Sequence, residues 1–192
     1  MSTTEIKIGG LGGQGVIMAG MIIGRGASIY DNKHASLTQS FGPEARGSAC
    51  SAQLIVSDEP IEYPYVTHPN ILVAMSQEAC NRFLPEIADA GTFIYEEELV
   101  KPGKVNSNIT SYGIPTTRIA EELKRRMVAN IVMVGFFAAV TSIVQVEALR
   151  LSVKASVPAG TSTQNLAAFD HGYDFGVKLL GAGRGATAAS AT

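Results

Sequence analysis

Two kinds of hydrophobic pattern follow one another along the chain and predict strands that alternate with helices. Short apolar or alternating runs predict strands at residues 5–9, 34–37, 49–56, 70–75, 91–95 and 108–112. Longer apolar segments predict helices at residues 15–29, 77–87, 115–127, 127–144, 144–153 and 166–180. Alternation of this kind predicts an α/β fold with a mainly parallel sheet and helices on both faces.

The length of 192 residues fits one domain, which we assign to residues 1–181. Residues 182–192 have the composition of a disordered tail. Residues 127–144 form a run of 18 without a charge, at the lower limit for crossing a membrane. Polar residues such as Asn130 interrupt it, so we expect a buried helix in the core or in a subunit interface, and no membrane span. The N-terminus has no signal-peptide pattern, which favours the cytoplasm.

Charge and cysteine content exclude several kinds of protein. The net charge of −2 gives no electrostatic basis for binding nucleic acid. Only 17% of residues are charged, below the usual quarter, which indicates that part of the surface is covered by another molecule. The two cysteines, Cys50 and Cys80, form no CxxC motif. They predict free thiols, with neither a disulfide framework nor an iron–sulfur site in this chain.

A glycine-rich segment, GGLGGQG at residues 9–15, joins the first predicted strand to the first predicted helix. Its glycines have the G-x-G-x-x-G spacing of a Rossmann-like loop, in which a helix N-terminus approaches a phosphate: Gly10, Gly12 and Gly15. A tight crossover that binds nothing explains the same spacing. Within the loop, the amide of Gln14 could hydrogen-bond a partner or substrate without adding charge.

Neither a dehydrogenase nor a hydrolase is supported by the remaining residues. A dinucleotide site needs a carboxylate at the tip of the second strand, residues 38–40, and Asp31 precedes that strand. There is no G-x-S-x-G motif, no metal-ligand cluster, and the histidines are far apart in the chain: His34, His68 and His171. The chain has the pattern of an enzyme fold without catalytic residues of its own.

Residues 38–47, TQSFGPEARG, fit neither a helix nor a strand and predict a loop. Together with the glycine segment they carry a resemblance. The chain resembles the gamma subunit of the 2-oxoacid:ferredoxin oxidoreductases, through GGLGGQGVIMAGMIIG (9–24), SLTQSFGPEARGSACSAQLIVSDEPI (36–61), PNILVAMSQEA (69–79) and ANIVMVGFFAA (129–139). The combination of GGQG with GPEARG makes the resemblance specific.

The resemblance implies a subunit that is inactive alone. In such enzymes thiamine diphosphate with Mg²⁺ lies between alpha- and beta-type subunits, electrons pass through [4Fe–4S] clusters of a ferredoxin-like subunit, and coenzyme A takes the acyl group. An added flavin subunit could pass the electrons to NAD instead of ferredoxin. This chain has no thiamine signature, so it is expected to bind none of these cofactors itself. A free-standing dinucleotide-binding protein and a scaffold without catalysis are the alternatives.

Under this resemblance the loop at 38–47 becomes an interface loop that faces the thiamine subunits. The Gly42–Pro43 pair sets a turn, and Arg46 can pair with Glu44 or reach a carboxylate or phosphate. A self-contained Glu44–Arg46 turn is the simpler alternative. No residue is assigned bond-making chemistry. The candidates for contact with substrate, coenzyme A or a partner subunit are Gly12, Gly13, Gln14, Gly15, Gln39, Phe41, Glu44 and Arg46.

Overall fold

The structure, a computed structural model, describes residues 3–42 and 47–189. Its strands are β1 (Thr3–Leu11), β2 (His34–Phe41), β3 (Ala49–Ser57), β4 (Ile71–Ala74), β5 (Thr92–Glu96) and β6 (Thr110–Ile114). They form one sheet in the order β2-β3-β1-β4-β5-β6. The pairs from β1 through β6 are parallel, and β3 is antiparallel to both of its neighbours. Only β3 therefore runs against the other strands, and the predicted mainly parallel sheet is confirmed.

Helices cover both faces of the sheet. They are α1 (Val16–Arg25), continued by a π-helical turn (Gly26–Tyr30), α2 (Gln77–Phe83), α3 (Thr116–Glu122), α4 (Ala129–Thr141), α5 (Val146–Ser156) and α6 (Ser162–Ala189). One face packs against all of these except α2, through a core that includes Ile8, Leu54 and Phe136. The other face packs against α2, through a smaller cluster around Leu72 and Phe93.

The uncharged segment at 127–144 forms a shorter helix than its pattern predicts. α4 spans 13 residues, and nearly all of them are buried. A 3-10 turn at Arg126–Val128 precedes it, and Ser142 ends it with a φ of 52°. Within residues 3–42 and 47–189, no helix is both long and apolar enough to cross a membrane. The apolar run is explained by burial among neighbouring helices.

The second strand is longer than predicted, and this corrects the assignment of residues 38–41 to a loop. β2 continues to Phe41 in unbroken register with β3, from His34 opposite Ser57 to Phe41 opposite Cys50. Ala35 and Leu37 pack against the main core, and Ser36 between them faces the other side of the sheet. The alternation of apolar and polar residues is weak in residues 38–41, because the polar residues there carry no charge. Gly42 follows directly and adds to the composition of a loop. The hairpin turn therefore begins about four residues later than the composition indicates.

The last helix also extends beyond its predicted limits. α6 begins at Ser162, four residues before the predicted start at Leu166. It continues to Ala189, whereas the pattern predicts an end at Leu180. The disorder predicted for residues 182–192 stays a prediction.

Candidate functional site

The glycine loop turns the end of β1 directly into the first turn of α1. Gly13 and Gly15 have positive φ values of 99° and 74°, and Gly15 is the N-cap residue of α1. Only glycine adopts such conformations without strain. The carbonyl of Gly15 accepts a hydrogen bond from the N–H of Ala19 at 2.9 Å, which begins the helix. The unpaired N–H groups at this N-terminus lie at the carboxyl edge of the parallel strands.

Gln14 holds the loop in place with its side chain. Its Oε1 accepts a hydrogen bond from the N–H of Leu11 at 2.7 Å, and its Nε2 donates to the carbonyl of Met75 at 2.8 Å. The amide thus links the ends of β1 and β4. Both of its polar atoms bond within the chain, so the structure gives Gln14 a positioning role besides the contact proposed from sequence.

We expect Gln14→Glu to lower the free energy of unfolding by about 1–2 kcal/mol, since the carboxylate cannot donate to the Met75 carbonyl. Denaturant unfolding of the purified chain measures the change. Gln164→Glu is the matched control, because Gln164 is exposed on α6. Equal unfolding midpoints for the two variants would contradict the bridging role.

Backbone hydrogen bonds join the glycine loop to the hairpin between β2 and β3. The N–H of Gly12 donates to the carbonyl of Ser48 at 2.8 Å, and the N–H of Gly47 donates to the carbonyl of Gly12 at 3.3 Å. Gly47 has a φ of 77°, in the region that favours glycine. Gly47, which ends the GPEARG motif, and Ser48 therefore lie beside the glycine loop that carries GGQG.

The other predicted contact residues lie around this hairpin. Gln39 and Phe41 are exposed on β2, and the Phe41 side chain is 66% exposed. Glu44 and Arg46 lie outside the described residues, so their roles stay predictions. β3 separates the two β2 residues from the strand that leads into the glycine loop, since Phe41 lies opposite Cys50 and Cys50 lies opposite Gly10. Their contact with a ligand or partner stays a prediction.

A crevice of about 310 Å³ opens beside the glycine loop. It lies at the carboxyl ends of β1, β4, β5 and β6, which is the edge where open α/β sheets bind ligands. The residues that line it are Gly13, Gln14, Met75, Glu96, Leu99, Thr116, Thr117, Arg126, Met127, Ala129 and Asn130. None of them is a histidine, cysteine, serine or lysine. Its position suits the binding of a ligand, and the Thr116 hydroxyl in its wall is hydrogen-bonded to Glu96.

A buried carboxylate, that of Glu96, forms one wall of this crevice. The side chain is 1% exposed, at the end of β5. It accepts hydrogen bonds from the hydroxyl of Thr116, from the N–H of Thr117 at 3.0 Å, and from the N–H of Glu98 at 3.1 Å. A carboxylate in this position stabilises the positive N-terminal end of α3. Its oxygens are occupied by the chain, so it organises the wall and is not a free acid or base.

The rim of the crevice is apolar and exposed. Met127 is 94% exposed and Leu99 is 47% exposed. Beside them, the Nε of Arg126 donates to Glu121 at 2.7 Å, leaving part of the guanidinium for other contacts. At the base, the Nδ2 of Asn130 donates to the carbonyl of Gly15 at 3.3 Å. This combination suits a ligand that has both an anionic group and an apolar surface.

Neither cysteine is positioned as a reactive group. Burial raises the pKa of the Cys50 thiol and of the Cys80 thiol, which keeps both protonated at neutral pH. Cys50 lies opposite Gly10 in the sheet, while Cys80 lies on α2, in the cluster on the other face. Among the described residues, no group of three or more metal-ligating side chains comes together.

Sequence reasoning missed the walls of the crevice that come after residue 75. Glu96, Thr116 and Asn130 lie on three elements that are far apart in the chain. A signal was present, because Glu96 directly follows the strand predicted at 91–95 and Thr116 lies in the first turn of the helix predicted at 115–127. Their proximity could be inferred only once β5 and β6 were known to be neighbours.

Comparison with known proteins gives matches along most of the chain. The family described as pyruvate ferredoxin/flavodoxin oxidoreductase matches residues 5–175. The 2-oxoglutarate synthase subunit KorC of Methanocaldococcus jannaschii is 47% identical over 177 residues, which cover 91% of this chain and 95% of that subunit. The pyruvate synthase subunit PorC of Methanothermobacter marburgensis is 31% identical over 175 residues, which cover 88% and 96%.

A solved structure has the same architecture. The gamma subunit of a keto/oxoacid ferredoxin oxidoreductase from Geobacter sulfurreducens PCA superposes with a TM-score of 0.80 at 34% identity, covering 91% of this chain and 99% of that subunit. The family match at residues 5–175 contains every residue that lines the crevice, from Gly13 to Asn130.

Proposed function

Since the chain belongs to the pyruvate ferredoxin/flavodoxin oxidoreductase family and has the fold of a gamma subunit, we propose that it completes a multi-subunit, coenzyme A-dependent 2-oxoacid oxidoreductase. In that reaction the 2-oxoacid and coenzyme A give an acyl-CoA and carbon dioxide, and two electrons leave to ferredoxin or, through a flavin subunit, to NAD. The observation that carries the proposal is the 47% identity to subunit KorC over nearly the full length of both chains.

The favoured substrate is 2-oxoglutarate. Identity to the 2-oxoglutarate synthase subunit is 47%, against 31% for the pyruvate synthase subunit, over almost the same length. Because the acid is bound mainly by other subunits in this proposal, the preference rests on relatedness and not on a pocket of this chain. A panel of 2-oxoacids supplied to the assembled enzyme tests it directly.

The cofactors of the reaction belong to partner subunits in this proposal. A [4Fe–4S] cluster takes four thiolates, while the chain has only Cys50 and Cys80, which lie on opposite faces of the sheet. The donor set therefore does not fit a cluster. Thiamine diphosphate with Mg²⁺ is assigned to alpha- and beta-type subunits, and the clusters to a ferredoxin-like subunit, all in the cytoplasm.

In this proposal the crevice binds a substrate and the hairpin contacts other subunits. We assign the glycine loop and the crevice to coenzyme A, because a helix N-terminus beside an apolar rim suits a phosphorylated ligand with a flat, partly apolar body. The turn between β2 and β3 is assigned to the thiamine subunits, as an interface loop. The hydrogen bonds of Gly12 with Ser48 and with Gly47 would hold the glycine loop against the end of this turn.

The direct test is purification of the tagged chain from its native host under anaerobic conditions. The proposal expects two thiamine-type subunits and a cysteine-rich subunit to co-purify, and the complex to reduce viologen when given 2-oxoglutarate and coenzyme A. Isolation of the chain without such partners would overturn the proposal. The same preparation then serves for the variants below.

In this complex we expect Arg46→Ala to raise the KM for coenzyme A or for the 2-oxoacid about tenfold, the effect of losing one charge-assisted hydrogen bond. Steady-state kinetics with each substrate varied in turn measures it. Lys154→Ala, at the exposed end of α5, is the control for loss of a positive charge. A variant that assembles normally with kcat and both KM values unchanged would remove Arg46 from the site.

A further inference from the structure

Among the residues that the structure describes, one edge strand of the sheet has no strand partner on its outer side. β2 is the terminal strand in the sheet order, and its eight residues pair with β3 without a bulge. Soluble proteins normally protect such an edge with proline, lysine or another charge, or a bulge. The segment HASLTQSF contains no proline, lysine, arginine or carboxylate. An edge of this kind is available to pair with another strand.

Every second residue of β2 directs its backbone N–H and C=O groups away from β3. The N–H of Gly42 donates to the carbonyl of Ala49 at 2.9 Å, so even-numbered residues of β2 bond to β3. The outward N–H and C=O groups therefore belong to the odd-numbered residues, which are Ala35, Leu37, Gln39 and Phe41. They offer four donors and four acceptors along one straight edge.

An exposed aromatic side chain lies at the end of this strand. Phe41 is 66% exposed, although it belongs to the same face as Leu37, which packs against the main core. It lies opposite Cys50, a residue also packed against that core. Phe41 thus projects on the α1 side of the sheet, beyond the area that α1 covers.

An apolar cavity of about 280 Å³ lies near the beginning of the same strand, on the same face. It opens between α1, the π-helical turn and β2, where Met21 is 46% exposed and Ile29 is 63% exposed. Its lining is mostly apolar, from Met21, Gly24, Ile29, Ala35, Leu37 and Leu54, and is completed by Arg25, Ser28 and Ser36. A protruding ring and a cavity that can receive one are therefore at opposite ends of one edge strand.

We propose that this edge is an interface between two copies of the chain, in which β2 pairs antiparallel with β2 of a second copy. A twofold axis through Thr38 places Ala35 opposite Phe41 and Leu37 opposite Gln39. All four outward residues then form hydrogen-bonded pairs, about eight bonds in total. Each Phe41 enters the cavity beside Ala35 of the other copy.

The features favour a second copy over an unrelated strand. A twofold interface requires that one surface complement itself, and here the ring and the cavity are on the same strand and the same face. Antiparallel pairing brings the end of one strand to the beginning of the other. An axis through Leu37 would instead place Ala35 opposite Gln39 and leave Phe41 beyond the paired strand. The axis through Thr38 pairs all four outward residues and brings Phe41 beside Ala35, which lines the cavity.

Cross-linking tests the register. With the axis at Thr38, the two Thr38 residues form a non-hydrogen-bonded pair with Cα atoms about 4.5 Å apart, within the range for a disulfide. Thr38→Cys is expected to give a reducible dimer under mild oxidation. Ser40→Cys, on the same face of β2, lies opposite Ser36 and is expected to give none beyond the wild-type background. Equal cross-linking of the two variants would overturn the register.

Sedimentation measures the interface without a covalent bond. The wild-type chain is expected to be a dimer, and both Phe41→Ala and Ile29→Asp are expected to raise the Kd for dimerisation about tenfold or more. Tyr63→Ala is the control, since Tyr63 is 62% exposed, like Phe41, but lies in the loop between β3 and β4. Circular dichroism verifies the fold of each variant.

A monomeric wild-type chain, or a dimer that neither variant weakens, would overturn the proposal. Protection of this edge by a different subunit in the assembled complex would overturn it as well. These readouts are independent of 2-oxoacid turnover, so failure of the interface is distinguishable from failure of the proposed function.

Discussion

Replacing Gly135 by alanine is expected to lower the free energy of unfolding by about 3 kcal/mol or more, because there is no space for a methyl group at this position. A Cβ atom on Gly135 would lie 1.9 Å from the carbonyl oxygen of Phe169. That oxygen belongs to the backbone of α6, so the conflict cannot be relieved by turning a side chain. The two helices would have to separate.

The contact is reciprocal, which makes it a sensitive point in the core. A Cβ atom on Gly172 would lie 1.9 Å from the carbonyl oxygen of Val132 in α4. The two glycines thus allow the backbones of α4 and α6 to touch, beside the buried ring of Phe136. Separation of the helices would leave voids around such side chains, and each void adds to the loss of stability.

Denaturant unfolding of the Gly135→Ala and Gly172→Ala variants measures this effect. Gly181→Ala is the matched control, because Gly181 is on the same helix α6 and a Cβ atom there meets nothing within 4 Å. We expect the control to keep or raise stability, by up to about 1 kcal/mol, since alanine favours helix more than glycine does. If Gly135→Ala were as stable as Gly181→Ala, the close packing of α4 on α6 would be contradicted.

Replacing Gly15 by alanine is expected to have the largest effect at the candidate site. The residue has a φ of 74°, where alanine is strained by about 1–2 kcal/mol. In addition, its Cβ atom would lie 2.4 Å from Nδ2 of Asn130, a side chain that is 4% exposed. Asn130 would then have to move and give up its hydrogen bond to the Gly15 carbonyl. We expect a total loss of about 3 kcal/mol and a shift of the α1 N-terminus.

Gly13→Ala separates the effect of backbone strain at a positive φ from the effect of a steric conflict with the added Cβ atom. Gly13 also has a positive φ, of 99°, but a Cβ atom there meets nothing within 4 Å. We expect the Gly15 variant to be the less stable of the two, and the Gly13 variant to lose affinity for coenzyme A with a smaller loss of stability. Unfolding of the isolated chain and the KM for coenzyme A of the assembled enzyme measure the two effects. Equal stability of both variants would contradict the role of Asn130.

Most elements were predictable because their patterns are local. Strands such as β3 and β4 were recognised from short apolar runs, and α4 was recognised as buried from a long one. The two main differences are at the ends of elements. β2 extends to Phe41 because pairing with β3 stabilises a weakly patterned segment. The apolar run at 127–144 yields only 13 helical residues because a 3-10 turn and Ser142 delimit it.

The candidate site was predictable only in part. The glycine loop and its place before α1 follow from spacing, whereas the association of GGQG with GPEARG comes from the resemblance to a family. The role of Gln14 as a bridge to Met75 was not predictable, since Met75 directly follows β4, 61 positions along the chain. Likewise, Glu96 was not recognised, because its partners Thr116 and Thr117 are on another element. The assignments of Glu44 and Arg46 stay predictions.

By itself, the sequence determined the order and type of the elements, the helix N-terminus at the glycine loop, and the family. Each of these depends on residues within a few positions of one another, where period, turn chemistry and motif spacing act. The tertiary structure alone decided the strand order, the crevice at the ends of β1, β4, β5 and β6, and the exposure of the β2 edge. These features depend on contacts between distant segments, which form when apolar surface is buried and leave no local pattern to recognise.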